Sequence, residues 1–364
     1  MKPSAARFYQ LTQGNVMTAK PEILFAWGRT RRMMIGLLVL LALLAVGYAW
    51  KGGALRVQPV GPLEPLTIAA NTHYPGTGLI FIAQAKGYFA AEGLHVTLQP
   101  YTTGKVALDA AMEGRAALAT AADIPIMFAV AKGQPVSIVA TIFMVERDPG
   151  IVGRKDRGIL TLAHLNGKRI GVTLGTSGHF VLDAFLIRQK LSTDDVTLRD
   201  LQPEQLAGAL ANGEVDAVAT WEPYLGMLRR QLGANGTTFY SEGIYELPFN
   251  IVGARNYVLS HPQTIEKLLR ALVRAERFCK DEPGPARQII AGVLDVGLET
   301  LEESWHTFRF NVGLHQNLIH TLEDETRWAI KNQLTTKTDI PNYLNYLYLE
   351  GLKAVKPESV TVIH

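Results

Sequence analysis

The sequence predicts an α/β protein of two lobes, preceded by one membrane-crossing segment, and three observations carry this. Lys168 to Val172 alternates side chains with β-branched residues. It breaks at Gly175-Thr176-Ser177-Gly178, and apolar residues then recur at helical spacing from Phe180 to Leu186. The same order of elements stands about a hundred residues upstream. An uncharged run at 33–50 is long enough to cross a bilayer, which takes about 20 residues at 1.5 Å each.

Length and composition fit this. A chain of 364 residues, 48% hydrophobic and with 33 glycines, can build two α/β lobes with real cores. The net charge of +3 is uneven: residues 1–51 hold seven bases and one acid, which leaves the remainder mildly acidic. No basic stripe with interleaved aromatics is present, so nucleic acid is not an expected partner. Cys279 is the only cysteine, which excludes an internal disulfide and a cysteine-based metal site. Its amphipathic helical surroundings make it a packing residue.

In chain order, residues 1–32 read as a cytoplasmic tail. Arg29, Arg31 and Arg32 precede the run at 33–50, so that run is an inner-membrane anchor with the body in the periplasm, or a cleaved signal releasing it there. Residues 51–65 form a linker. Leu66–Asn71 is a strand, 73–78 a turn, and Leu79 to Gly87 a helix. Leu94–Leu98 is a strand, Thr102-Thr103-Gly104 turns into a helix over Val106 to Glu113, and Ala116 to Thr120 is a third strand. From Lys168 the pattern returns, through Val196–Leu198, a helix opened by Pro203, and a strand over Val215 to Thr220. Val96 and Val196, Gly114 and Gly213, and Asp123 and Glu222 match at offsets of 99 or 100. Phe249–Ala254 reads as a strand returning to the first lobe, so residues 66–153 and 250–364 make lobe 1 and 154–249 lobe 2. Ser260 and Gln263 have the form of a capping box for a helix through Lys280. Helices follow at 286–296, 301–310, 314–332 and 343–353, with Trp305, Trp328, Tyr343 and Tyr346 as packing residues.

Ligands of open α/β sheets bind beyond the carboxyl ends of the strands. The turns at 73–78, 102–104, 122–125, 175–179 and 221–224 all lie at such ends, so they converge on one cleft between the lobes. No nucleophile elbow surrounds Ser177, no helical His pair is spaced for a metal, and no phosphate-binding glycine loop is present. No catalysis, cofactor or metal is therefore expected. Asp123 and Glu222 fit either an acid/base pair or recognition of a ligand amine or backbone donors.

Leu165 to Val172, the Gly-Thr-Ser turn, Ala217 to Tyr224 and Ala83 to Leu94 together resemble the solute-binding proteins of ABC importers. The subgroup is that for nitrate, taurine and aliphatic sulfonates, to which the thiamine-pyrimidine precursor synthases are related. The resemblance spans about 66–360. It implies a type II periplasmic binding fold that closes on a small polar or anionic solute and delivers it to a permease driven by an ATPase. Carried over by position, the ligand-facing residues are His73, Tyr74, Thr77, Thr102, Thr103, Asp123, Gly175, Thr176, Ser177, Trp221 and Glu222. Two departures stand out. The membrane run replaces the family's cleaved signal or lipid anchor, and the single cysteine lacks the cysteine-rich motif of the precursor synthases. A same-fold enzyme of pyrimidine or menaquinone biosynthesis and a membrane-tethered sensor remain as alternatives. Hydroxyls and helix N-termini suit a sulfonate or carboxylate. Asp123 and Glu222 would repel a bare anion such as nitrate and suit an amine-bearing solute.

Overall fold

In a computed structural model, which describes residues 61–363, the first apolar runs form β1 (Glu64–Asn71), β2 (Leu94–Tyr101), β3 (Leu118–Ala122) and β4 (Val136–Val145). Between them lie α1 (Gly78–Ala85), α2 (Tyr88–Ala91), α3 (Gly104–Met112) and α4 (Asp123–Ala131). The second set of strands is β5 (Gly150–Arg154), β6 (Arg169–Val172), β7 (Thr197–Asp200), β8 (Ala217–Thr220) and β9 (Gly236–Tyr240). It is served by α5 (Ser177–Arg188), α6 (Pro203–Ala211) and α7 (Tyr224–Leu232). The chain then returns through β10 (Leu247–Ala254) and adds α8 (Arg255–Ser260), α9 (Pro262–Asp281), α10 (Pro283–Leu294) and α11 (Leu298–Trp305). It closes with β11 (Phe308–Gly313), α12 (Gln316–Lys331) and α13 (Leu349–Val355).

Two mixed sheets result: one of six strands in the order β11-β4-β10-β3-β1-β2, the other of five in the order β7-β6-β8-β5-β9. The internal repeat is visible in them. β1 lies parallel between β2 and β3, and β6 lies parallel between β7 and β8. An antiparallel strand flanks each unit, β10 beside β3 and β5 beside β8. The chain crosses between the sheets twice, from Val145 to Gly150 and from Tyr240 to Leu247. This two-lobed arrangement turns the carboxyl ends of β1, β3, β6 and β8 toward one cleft.

Packing follows from helices covering both faces of the six-stranded sheet. β4 is buried almost throughout, and Phe143 on it is fully buried, with its ring 5.2 Å from that of Phe308 and 5.1 Å from that of Phe310. α9 buries Ile265, Leu268, Leu272, Ala275 and Cys279, one face of a regular helix. Burial pushes the Cys279 thiol up to about 12.

Two expectations about this region need correction. The helix expected over 301–310 ends at Trp305, because Phe308 and Phe310 alternate onto Phe143 as an edge strand paired with β4. Ser260 caps nothing: it ends α8, its hydroxyl donates back to the carbonyls of Asn256 and Tyr257, and His261 precedes α9. The apolar run at 33–50 lies outside the described residues, among which no helix is long and apolar enough to cross a membrane.

Candidate functional site

The turn after β1 is set by its own backbone. The N–H of Asn71 donates to Thr120 Oγ1 on β3 at 2.9 Å, and its carbonyl accepts the Thr77 hydroxyl at 2.7 Å. Tyr74 is thereby carried into the cleft, its ring 4.9 Å from Phe249 and 5.8 Å from Phe143. Its hydroxyl donates to Asp148 Oδ2 on the first crossover at 3.1 Å.

Two helices point their N-termini into the same space. Thr103 caps α3 by accepting the Val106 N–H at 3.2 Å. The next residue must be small, since a Cβ on Gly104 would stand 2.9 Å from Ala121 Cα. From the other lobe, Gly175 takes a left-handed φ of +74°, and the Thr176 hydroxyl donates to the Thr173 carbonyl at 2.6 Å. That turn starts α5 at Ser177. A helix start leaves its first N–H groups without intrahelical acceptors and carries a partial positive charge.

Between these ends lies a chamber of about 40 Å³, hardly more than one water. Lobe 1 supplies Asn71, Tyr74, Thr103, Gly104, Lys105 and Phe249, and lobe 2 supplies Thr176, Ser177 and Trp221. Lys105 and Pro125 also line a second hollow of about 230 Å³ outside the chamber, with Leu108, Phe128, Leu174 and Leu334. Lys105 makes no ion pair or hydrogen bond among the described residues. A lysine in the first turn opposes the helix dipole, so its helix does not explain it.

Of the residues singled out from sequence, Tyr74, Thr103, Thr176, Ser177 and Trp221 line the chamber. His73 is exposed, Thr77 holds the first turn, Thr102 does not line the chamber, and Gly175 lines the outer hollow. The two acids stand apart. Asp123 is fully buried behind the wall and accepts the Tyr245 hydroxyl at 2.5 and 2.7 Å and the Ile124 N–H at 2.9 Å; the Ser177 hydroxyl lies 3.5 Å from it. Glu222 accepts the Gly226 N–H at 3.1 Å and the Ser304 hydroxyl at 3.3 Å, and it faces a separate polar hollow. Neither acid lines the chamber, so neither is placed to meet a ligand amine there.

Sequence reasoning missed Asn71, Phe249, Tyr245, Asp148 and Glu325. Only Glu325 had a readable signal: on α12 it falls in line with Leu318, Leu322 and Ala329, an acid on a buried face. α12 also reaches across the cleft. Trp328 Nε1 donates to Asp183 Oδ2 on α5 at 2.8 Å, and its ring lies 5.2 Å from those of His179 and Phe180.

Burial pushes Asp123 up to about 6, and it raises Asp148, Asp183, Glu222 and Glu325 as well. An acid with a raised folded-state pKa keeps a proton that the unfolded chain has released. Its contribution is therefore complete below the ordinary carboxyl range and lost as pH rises through the raised value. The shift of Asp123 alone corresponds to about 3 kcal/mol. His179 and His315, held below their ordinary value by burial, act oppositely as pH falls below it. With five acids against two histidines, the melting temperature is expected to be several degrees higher at pH 5 than at pH 8. Below about pH 4 it should fall again, as Glu64, Asp156 and Asp216, lowered by Lys267, Arg154 and Arg169, become protonated. A calorimetric scan rising steadily from pH 5 to 8 would contradict this assignment.

A family profile described as NMT1/THI5 like matches residues 75–286. A protein of Brucella abortus described as a binding protein is 26% identical over 249 residues, 65% of this chain and 74% of its own length. One of Bacillus subtilis, described as an aliphatic sulfonates-binding protein, is 28% identical over 61% of this chain and 68% of its own. The 4-amino-5-hydroxymethyl-2-methylpyrimidine phosphate synthase of Schizosaccharomyces pombe is 31% identical over 38% of this chain and 39% of its own. Among solved structures, the alkanesulfonate-binding protein SsuA of Xanthomonas axonopodis, bound to MOPS, superposes with a TM-score of 0.69 at 21% identity, over 79% of this chain and 99% of that one.

Proposed function

Since the chain belongs to the NMT1/THI5-like family, we propose that it is the solute-binding component of an ABC importer and takes up small organic anions, sulfonates foremost. The observation that carries this is the convergence of two helix N-termini from facing lobes, with the unpaired Lys105, on one chamber. Backbone N–H groups, the hydroxyls of Thr103 and Ser177 and one ammonium make a site for an oxyanion headgroup, with the Thr176 hydroxyl holding the turn that presents Ser177. At about 40 Å³ the chamber is tight even for such a headgroup, so the lobes part to admit it. An organic arm passes Lys105 into the outer hollow, over Phe128 and Leu174. Trp221 closes the wall against the ligand.

In this reading the lobes work in the periplasm, held there by the run at 33–50 or released by its cleavage, and pass the solute to a permease and its ATPase. The Bacillus and Xanthomonas proteins, by what they are described as binding, support the sulfonate. The pyrimidine synthase relative supports a second reading as an enzyme. The single cysteine, buried on α9 away from the cleft, weighs against it.

Calorimetry with methanesulfonate, longer alkanesulfonates, taurine, nitrate and aminopyrimidines tests the choice. Alkanesulfonates are expected to bind, with affinity rising from methanesulfonate to butanesulfonate as the arm fills the outer hollow. Binding of nitrate alone, or chemical turnover of any bound compound, would overturn the reading.

A further inference from the structure

Glu325 is fully buried, and neither of its carboxyl oxygens meets a donor among the described residues. The titratable group that bears on it most directly is the equally buried Asp123. Two carboxyl groups can share a hydrogen bond only if one of them carries a proton. With Tyr245 and the Ile124 N–H also donating to Asp123, the resting pair holds one proton and one negative charge. That charge sits one side chain behind the chamber, whose wall includes Ser177, 3.5 Å from Asp123 Oδ1, and the flanking Ala122 and Pro125.

We propose that the Asp123–Glu325 pair takes up a proton when an anion enters the chamber and releases it when the anion leaves. This inference rests on the anion-binding reading above. An anion in the chamber and a carboxylate behind its wall repel each other across a poorly hydrated gap, where charges are weakly screened. A proton from solvent removes the repulsion: the loaded pair is neutral, with two protons. The first proton is held firmly, because both groups are buried. The second is held with an apparent pKa near that of Asp123, about 6, which lies within reach of ordinary external pH.

Asp148, behind the chamber-lining Tyr74, and Glu222 are also raised by burial, so Asp123→Asn is the variant that tells the pair from them. The charged or titratable groups bearing on the pair are Tyr245 on the second crossover, Tyr74 on the first turn, Tyr343 behind Glu325 and Asp324 beside it on α12. α3 brings Lys105, across the chamber, and Asp109, which lines the outer hollow. α5 brings His179 and Asp183, both engaged with Trp328. β3, β4 and β10 bring no charged residue. Tyr74, Tyr245 and Tyr343 are pushed upward by burial and stay neutral.

The test uses ethanesulfonate, which stays ionised throughout, titrated into the protein between pH 5.5 and 8.5. Parallel titrations at pH 7 use buffers of different ionisation enthalpy. Proton uptake on binding is expected, with affinity falling by up to about tenfold per pH unit above pH 6. Asp123→Asn should abolish both the uptake and the pH dependence and should bind more tightly than wild type at pH 8. Should that variant not fold, Tyr245→Phe removes one donor that stabilises the charged carboxylate, and it should move the midpoint to higher pH. Binding by wild type with no uptake and a flat profile would overturn the inference and leave the sulfonate reading intact, as would uptake that survives in Asp123→Asn. No binding at pH 5.5 would sink both.

Discussion

Phe143→Ala is expected to destabilise the protein by about 3–5 kcal/mol, the largest effect of any single change considered, as a loss of melting temperature and of the denaturant midpoint. Phe143 is fully buried in the second strand of the six-stranded sheet, and its ring meets Tyr74, Phe308 and Phe310. Removing it takes away buried area and leaves a cavity that rigid strands cannot fill. The cavity also opens behind Tyr74, so the chamber wall loses its backing and anion affinity should drop with stability. A loss below about 1 kcal/mol would mean that the neighbouring rings collapse into the gap.

Phe143 also shows where the sequence stops being legible. β4 reads Val-Ser-Ile-Val-Ala-Thr-Ile-Phe-Met-Val, and helices and strands cover it so fully that no alternation survives. A run of this kind cannot be told from a buried helix by period alone. The parallel strands with their glycine-closed helices were readable because each carries its own punctuation: Gly114 and Gly213 both stop helices at a left-handed φ. The site divides the same way. Thr103, Thr176 and Ser177 stand in turns whose composition marks them. Tyr245 and Asp148 lie on crossovers with no pattern and reach the cleft only through the tertiary path. Asp123 stood at a strand end as the turn rule requires, but sequence says nothing about which way a side chain faces once a neighbour such as Tyr245 competes for it.

Lys105→Glu is expected to weaken sulfonate binding by about a hundredfold, with little change in stability. A charge-assisted hydrogen bond to a bound anion contributes about 1.5–3 kcal/mol, and reversal adds repulsion that partial exposure of the side chain moderates. Stability should hold because Lys105 is exposed at the first turn of α3, where an acid suits the helix dipole better than a lysine. Calorimetry with butanesulfonate at fixed salt, alongside a thermal melt, separates the two. Unchanged affinity would place the anion elsewhere in the cleft.

The buried thiol of Cys279 has a practical consequence. It is the single cysteine of the chain, it is packed in the core of lobe 1, and burial keeps it protonated at neutral pH. Thiolate-seeking reagents such as maleimides will therefore pass it by in the folded protein. Cysteines introduced at exposed Lys132 and Ile187, on opposite lobes, can then take a pair of dyes without any cysteine first being removed. The natural chain is thus ready for single-molecule distance measurements in which opening and closing are watched directly as each solute arrives.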